Sequence, residues 1–159
     1  MDLSYNFRKA LDEVSANSSG GAPFLFCYGA TFLITAVLSL FLPRPTAALV
    51  AMFQGGAALP LAFWLERRLA KGRMEKANPL HSLSGLLAMS QALTLPALIV
   101  AYSMNPASVP VVLAAIGGGH FLPYAWLHRT RIYSIFAFTV SFGSFAIQLA
   151  FPQIAFHAI

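Results

Sequence analysis

Charge is what this chain has least of. Of its 159 residues, 9% are Asp, Glu, Lys or Arg, against about a quarter in ordinary soluble domains. The acidic residues are Asp2, Asp12, Glu13, Glu66 and Glu75, and none falls inside an apolar run. That excludes a carboxylate proton relay through a membrane and an intramembrane protease built on two aspartates. There is a single cysteine, Cys27, so no intrachain disulfide can form, and its apolar neighbours mark it as a small buried hydrophobe. Gly117-Gly118-Gly119 lacks the Lys-Ser/Thr ending and the preceding strand of a phosphate loop. The first residues lack a signal-peptide pattern: they are polar, and the apolar run after them outlasts a signal core, so an uncleaved first span is expected.

What is present is apolar surface. Hydrophobic residues make up 58% of the chain, more than a soluble domain this small can hide. Lipid must be the solvent for most of it, and the bilayer is the expected partner. Apolar runs of about 20 residues span the roughly 30 Å hydrocarbon core as helices. Five are expected, near 23–42, 46–65, 82–104, 108–127 and 132–151. The fold class is all-α: a polytopic transmembrane bundle of five spans built from helix hairpins. Residues 1–22 form an interfacial amphipathic helix and a linker, and residues 23–159 form the bundle. The helix is carried by Leu3, Phe7, Leu11 and Val14 at helical spacing, with Arg8, Lys9, Asp12 and Glu13 elsewhere on the wheel.

The formal charge is +5 and the pI about 9.8. The cations lie in short loops between apolar runs, which speaks for membrane topology and against nucleic acid as a partner. Every lysine and arginine except Arg44 falls on one side: Arg8, Lys9, Arg67, Arg68, Lys71, Arg73, Lys76, Arg129 and Arg131. The expected placement is a bacterial inner (plasma) membrane with the N-terminus in the cytoplasm. Trp64 and Trp126 stand at the ends of spans two and four on that side, where interfacial aromatics belong.

Ala51–Arg68 resembles Ala114–Arg131. Laid over one another, Ala51, Gly55, Gly56, Leu59, Pro60, Ala62 and Arg68 meet Ala114, Gly118, Gly119, Leu122, Pro123, Ala125 and Arg131. Both copies run in the same direction, as in a parallel repeat of hairpins. Their small residues let helices approach closely in lipid, so spans two and four are expected to meet through Ala51, Gly55, Ala114 and Gly118. Pro60 and Pro123 are expected to kink their helices at matching depth. After the fifth run, residues 152–159 are too few to cross the core as a helix, so the chain has five spans or a sixth has been lost.

His120 is the sharpest candidate for a site, because an ionisable group at depth is costly and often functional. Its bland alternative is a neutral imidazole donating a ring N–H to a carbonyl freed near Pro123. Tyr124 lies one turn away. Gln54, Gln91 and Gln148 add polar groups in spans two, three and five, with Thr94 one turn from Gln91. A ligand site with a sparse polar lining is expected at His120, Tyr124, Gln54 and Gln91, with interhelical hydrogen bonding as the competing reading. Haem would need a second histidine at matching depth. His81 and His128 stand at the edge and His157 near the opposite face, so no cofactor and no metal is expected. Ser82 or Ser84 with His120 has the residue types of a serine–histidine intramembrane protease, but the depths differ, and no catalytic set is assigned.

Asn78-Pro79-Leu80, the Thr46–Val50 stretch after Pro43-Arg44-Pro45, and Gly118-Gly119-His120-Phe121-Leu122-Pro123-Tyr124 together resemble an uncharacterised family of small multi-pass bacterial membrane proteins. The resemblance implies a sixth span, which this chain departs from, and brings no catalytic or binding residues. The expected function is a non-enzymatic membrane protein, structural or a partner subunit, with a homo-oligomer or another membrane protein as its partner. The alternative is a small oligomeric transporter or channel with a polar site around His120.

Overall fold

The computed structural model describes residues 3–70, 75 and 77–159, with the backbone alone at 3–6, 81, 84 and 88. Lys71, Arg73 and Lys76 of the long loop lie outside the described residues. Among the described residues every regular element is a helix. The first, α1 (Leu3–Asn17), precedes five stretches long and apolar enough to cross a membrane. Span one, Ser19–Ser39, is a 3-10 turn continued by α2 (Ala22–Ser39). Span two, Arg44–Leu69, joins α3 (Arg44–Phe53) to α4 (Gly55–Leu69) across Gln54. Span three, Gly85–Met104, takes the end of α5 (His81–Ser90), a 3-10 turn at Ala92–Thr94 and α6 (Leu95–Met104). Span four, Pro106–Leu127, is a 3-10 turn and α7 (Val109–Leu127); span five is α8 (Arg131–Ala150). A short α9 (Ala155–Ala158) follows. The architecture is a polytopic transmembrane helical bundle. Its large apolar side chains face outward, Phe26 at 70% and Leu93 at 81% exposure, an arrangement that only a lipid surrounding stabilises.

The turns have local causes. Asn105, in extended backbone, accepts a hydrogen bond from the Ala107 N–H at 3.0 Å and starts the turn into span four. Thr130 caps α8 by accepting from the Ile132 N–H at 3.4 Å. Prolines open α3 and α6 at their first turns, where a missing N–H costs nothing.

At the end that carries most of the charge, α1 packs onto the end of the bundle. Its apolar face, Ala10, Leu11 and Val14, is buried against Leu80 and Leu127, with Leu83, Leu87 and Tyr124 beside them. The reason is that the loop end at Leu80 and the end of α7 expose an apolar floor that the helix covers. Asn78 fixes the arrangement. Its amide donates to the Ala10 carbonyl (3.0 Å) and to Glu13 Oε2 (2.9 Å), while its Oδ1 accepts the Leu80 N–H (2.9 Å). Exposed ion pairs, Arg129–Asp12 at 3.1 Å and Lys9–Glu75 at 3.5 Å, add little to this.

Hairpin packing holds for spans one and two, where α2 lies along α4 with Cys27, Ala58 and Ala62 buried between them. Spans three and four also meet, α6 against α7 and the turn before it, but less extensively. Span four has its most extensive contact with α8 instead. Gly118 is the reason: a Cβ there would collide with Ser141 Oγ and stand 2.9 Å from the Ala137 carbonyl oxygen, so only glycine admits α8 this closely. Ser141 Oγ then reaches the Ala115 carbonyl at 3.1 Å. The expected pairing of Ala51 and Gly55 with Ala114 and Gly118 is therefore not the one found. Gly55, the counterpart of Gly118 in the repeat, faces Tyr28 of span one, and a Cβ there would stand 3.5 Å from the Tyr28 hydroxyl. Spans two and four do meet, but at the opposite end, through Ala47, Ala48 and Val109. The repeated small residues serve different neighbours in the two copies.

Residues beyond span five return to that opposite end. Phe156 of α9 is buried against Ala47, Ala48 and Val109, and α9 touches α2, α7 and α8. The helical hydrogen-bond pattern changes at Gln54 in span two and tightens to a 3-10 turn at Ala92–Thr94 in span three, with the backbone of Gln54, Gln91 and Thr94 still in the right-handed helical region; α4 and α7 contain Pro60 and Pro123. In span three the 3-10 turn lies just before Pro96, whose ring cannot follow a regular preceding turn.

Candidate functional site

Helix α7 sets His120, Tyr124 and His128 one turn apart on one face. Their rings form a ladder: His120 meets Tyr124 edge-on at 5.1 Å between centroids, and Tyr124 stacks on His128 at 6.0 Å. Tyr133 of α8 packs beside both, 5.9 Å from Tyr124 and 5.5 Å from His128. Its hydroxyl donates to the Gly20 carbonyl. Gly21 lies in the left-handed region at φ 78°, and a Cβ there would strike the Tyr133 hydroxyl and come within 3.4 Å of His128 Nε2. The glycine pair at the start of span one is thus a seat for this cluster as well as a linker.

His120 takes a partner different from the carbonyl expected near Pro123. Its Nδ1 lies 3.4 Å from Ser90 Oγ at the end of α5. Ser90 already donates its single hydroxyl proton to the Leu87 carbonyl at 2.6 Å, so it accepts from His120, and Nδ1 carries the proton. The same device recurs at the opposite end. Ser39 donates to the Ala36 carbonyl at 2.7 Å and accepts from His157 Nδ1 at 2.9 Å.

The other sequence candidates do not join His120. Gln54 sits at the join of α3 and α4 in span two, and both amide atoms are buried without a hydrogen-bond partner among the described residues. Gln91 accepts the Thr94 hydroxyl on its backbone carbonyl at 2.6 Å, a bond within its own turn. The structure brings together His120 and Tyr124 from the expected set and adds Ser90, His128, Tyr133 and Gly21. The i, i+4 stripe of His120, Tyr124 and His128 is visible in the sequence; the contributions of Ser90 and Tyr133 are not, because they come from other helices.

His128, just past the end of span four, has Nδ1 buried without a partner among the described residues. Burial pushes its pKa down to about 4, so the ring is neutral at physiological pH. Chemically the ladder can donate and accept hydrogen bonds but holds no carboxylate. Among the described residues no three or more His, Cys, Asp or Glu are grouped as a metal would require. A separate groove of about 380 Å³ opens at the α7–α8 turn between Trp126 and Arg131, and none of the ladder residues lines it.

These features define a class: a small polytopic helical membrane protein whose polar side chains, among the described residues, bond mostly to backbone carbonyls. Residues 7–159 match the model of a Family of unknown function (DUF7010), and the chain belongs to that family. No curated protein and no solved structure shows a significant match.

Proposed function

We propose that the protein is a non-enzymatic integral membrane protein of a bacterial plasma membrane, with its N-terminus in the cytoplasm, acting as a structural element or partner subunit. The observation that carries this reading is the use made of the polar side chains. His120 is taken up by Ser90, His157 by Ser39, Tyr133 by Gly20 and Asn78 by α1. Each bond joins separate elements, as interhelical hydrogen bonds do when they serve packing. The clustering of cations at the α1 end supports the orientation. Span three supports a partner: among the described residues little of it is covered, with Leu86, Met89, Leu93 and Met104 all exposed.

The test is purification in mild detergent followed by native mass measurement. A discrete oligomer, or a stoichiometric membrane-protein partner that cross-links to span three, is the expected result. A monomer that instead carries a small-molecule ligand or supports solute flux in vesicles would overturn it.

One observation favours a second reading, a small transporter or channel. Gln54 presents a buried amide with no partner among the described residues at the join of α3 and α4 within span two, and polar groups inside a span often mark substrate pathways. Under this reading Gln54→Leu abolishes flux without loss of folding.

A further inference from the structure

The groove at the α7–α8 turn is separate from the His120 ladder, none of whose residues lines it. Its walls combine Trp126 and Leu122 from the last turns of span four with Arg129, Thr130, Arg131 and Ser134 from the turn and the start of span five. The lower wall is apolar and half exposed, Trp126 at 52% and Leu122 at 44%. The upper wall is cationic. Arg129 is drawn to Asp12 at 3.1 Å, while Arg131 has no ionic partner among the described residues. The site lies where two spanning helices end, and so at the depth of the lipid headgroups. An apolar floor below and a guanidinium above match a glycerophospholipid, with acyl chains along span four and the phosphate at Arg131. The repeat supplies a contrast: Arg68, the counterpart of Arg131, lies over its own Trp64 ring at 5.4 Å and forms no part of this groove's lining.

We propose that this groove is a binding site for an anionic phospholipid headgroup, held by Arg131 with Trp126 at the level of the glycerol. Only Trp64 and Trp126 are tryptophans, so Trp64→Phe leaves Trp126 as the sole reporter beside the groove. The full chain with that change is reconstituted in phosphatidylcholine vesicles containing a minority of brominated phosphatidylglycerol or, separately, brominated phosphatidylcholine. Brominated phosphatidylglycerol should quench Trp126 at a mole fraction about fivefold lower, the gain expected from one cation at the headgroup level. Arg131→Gln should remove the preference, and Arg131→Lys and Arg68→Gln should keep it. Equal quenching by both lipids in the parent, or loss of the preference in Arg68→Gln as much as in Arg131→Gln, would overturn the proposal. Reversal of the preference by inorganic phosphate alone would also overturn it, because the site would then hold free phosphate and not a lipid. Helical content and melting temperature of each variant are read alongside. If Arg131→Gln fails to fold, the comparison of the two brominated lipids in the parent decides by itself.

Discussion

Ser90 and His120 form a one-way hydrogen bond between spans three and four. The hydroxyl proton of Ser90 goes to the Leu87 carbonyl at 2.6 Å, so its oxygen receives the His120 Nδ1–H from 3.4 Å. Elsewhere in span three, α6 packs against α3 and α7. A neutral imidazole answered by a hydroxyl is a cheap polar pair in lipid, and it needs no ligand to explain its presence.

Replacing His120 with Leu should therefore cost stability, on the order of 0.6 kcal/mol for the lost interhelical bond. His120→Gln, which keeps a donor, should cost less. In a double-mutant cycle Ser90→Ala and His120→Leu should be non-additive, because each removes the same bond. Additive losses in thermal melts would mean that the two side chains do not interact.

The three glycines of span four should not be equivalent. Gly118→Leu meets the Ala137 carbonyl and Ser141 of α8 and should destabilise by about 1–3 kcal/mol, the range for overpacking. Gly117 and Gly119 have nothing within 4 Å of a built Cβ among the described residues, so Gly119→Ala should melt like the parent. Equal loss at Gly118 and Gly119 would contradict the close approach of spans four and five.

Much of the fold is legible in the sequence because the spans are long, apolar and separated by Pro, Asn and Gly turns. What the sequence does not show is which helix each small face meets. Gly55 and Gly118 occupy the same place in the repeat, yet one faces Tyr28 and the other Ser141, and lipid-exposed apolar faces carry no periodic signal to separate them. The amphipathic pattern of α1 is equally ambiguous: the same face suits a membrane surface or the floor at Leu80 and Leu127. Of the site, the stripe His120–Tyr124–His128 is readable as i, i+4 spacing, and Asn78-Pro79-Leu80 stands out as a motif. Its role as a clamp on Ala10 and Glu13 depends on contacts distant in sequence.

Acid should loosen the α7–α8 end. His128 has a folded pKa of about 4, below its ordinary 6.5, so the unfolded chain binds the proton more readily between those values. Stability is full above about 6.5 and falls as pH drops toward 4, by about 1–3 kcal/mol. Glu13, held below the usual carboxylate range chiefly by the Asn78 hydrogen bond, loses its contribution lower, beneath 4.5. His128→Phe keeps the ring stack and should flatten the melting-temperature profile between pH 6.5 and 4. An unchanged profile would place the pH sensitivity elsewhere.

The sidedness of the chain tests the account most directly, because both the packing scheme and the lipid site depend on it. In a Cys27→Ala background, single cysteines replace Ala77, at the α1 end, and Gln153, beyond span five; both positions are exposed. Intact cells are treated with an impermeant thiol reagent. The cysteine at position 153 should react directly, and the one at 77 only after permeabilisation. Labelling of both in intact cells, or of 77 alone, would contradict a five-span bundle with its basic end in the cytoplasm.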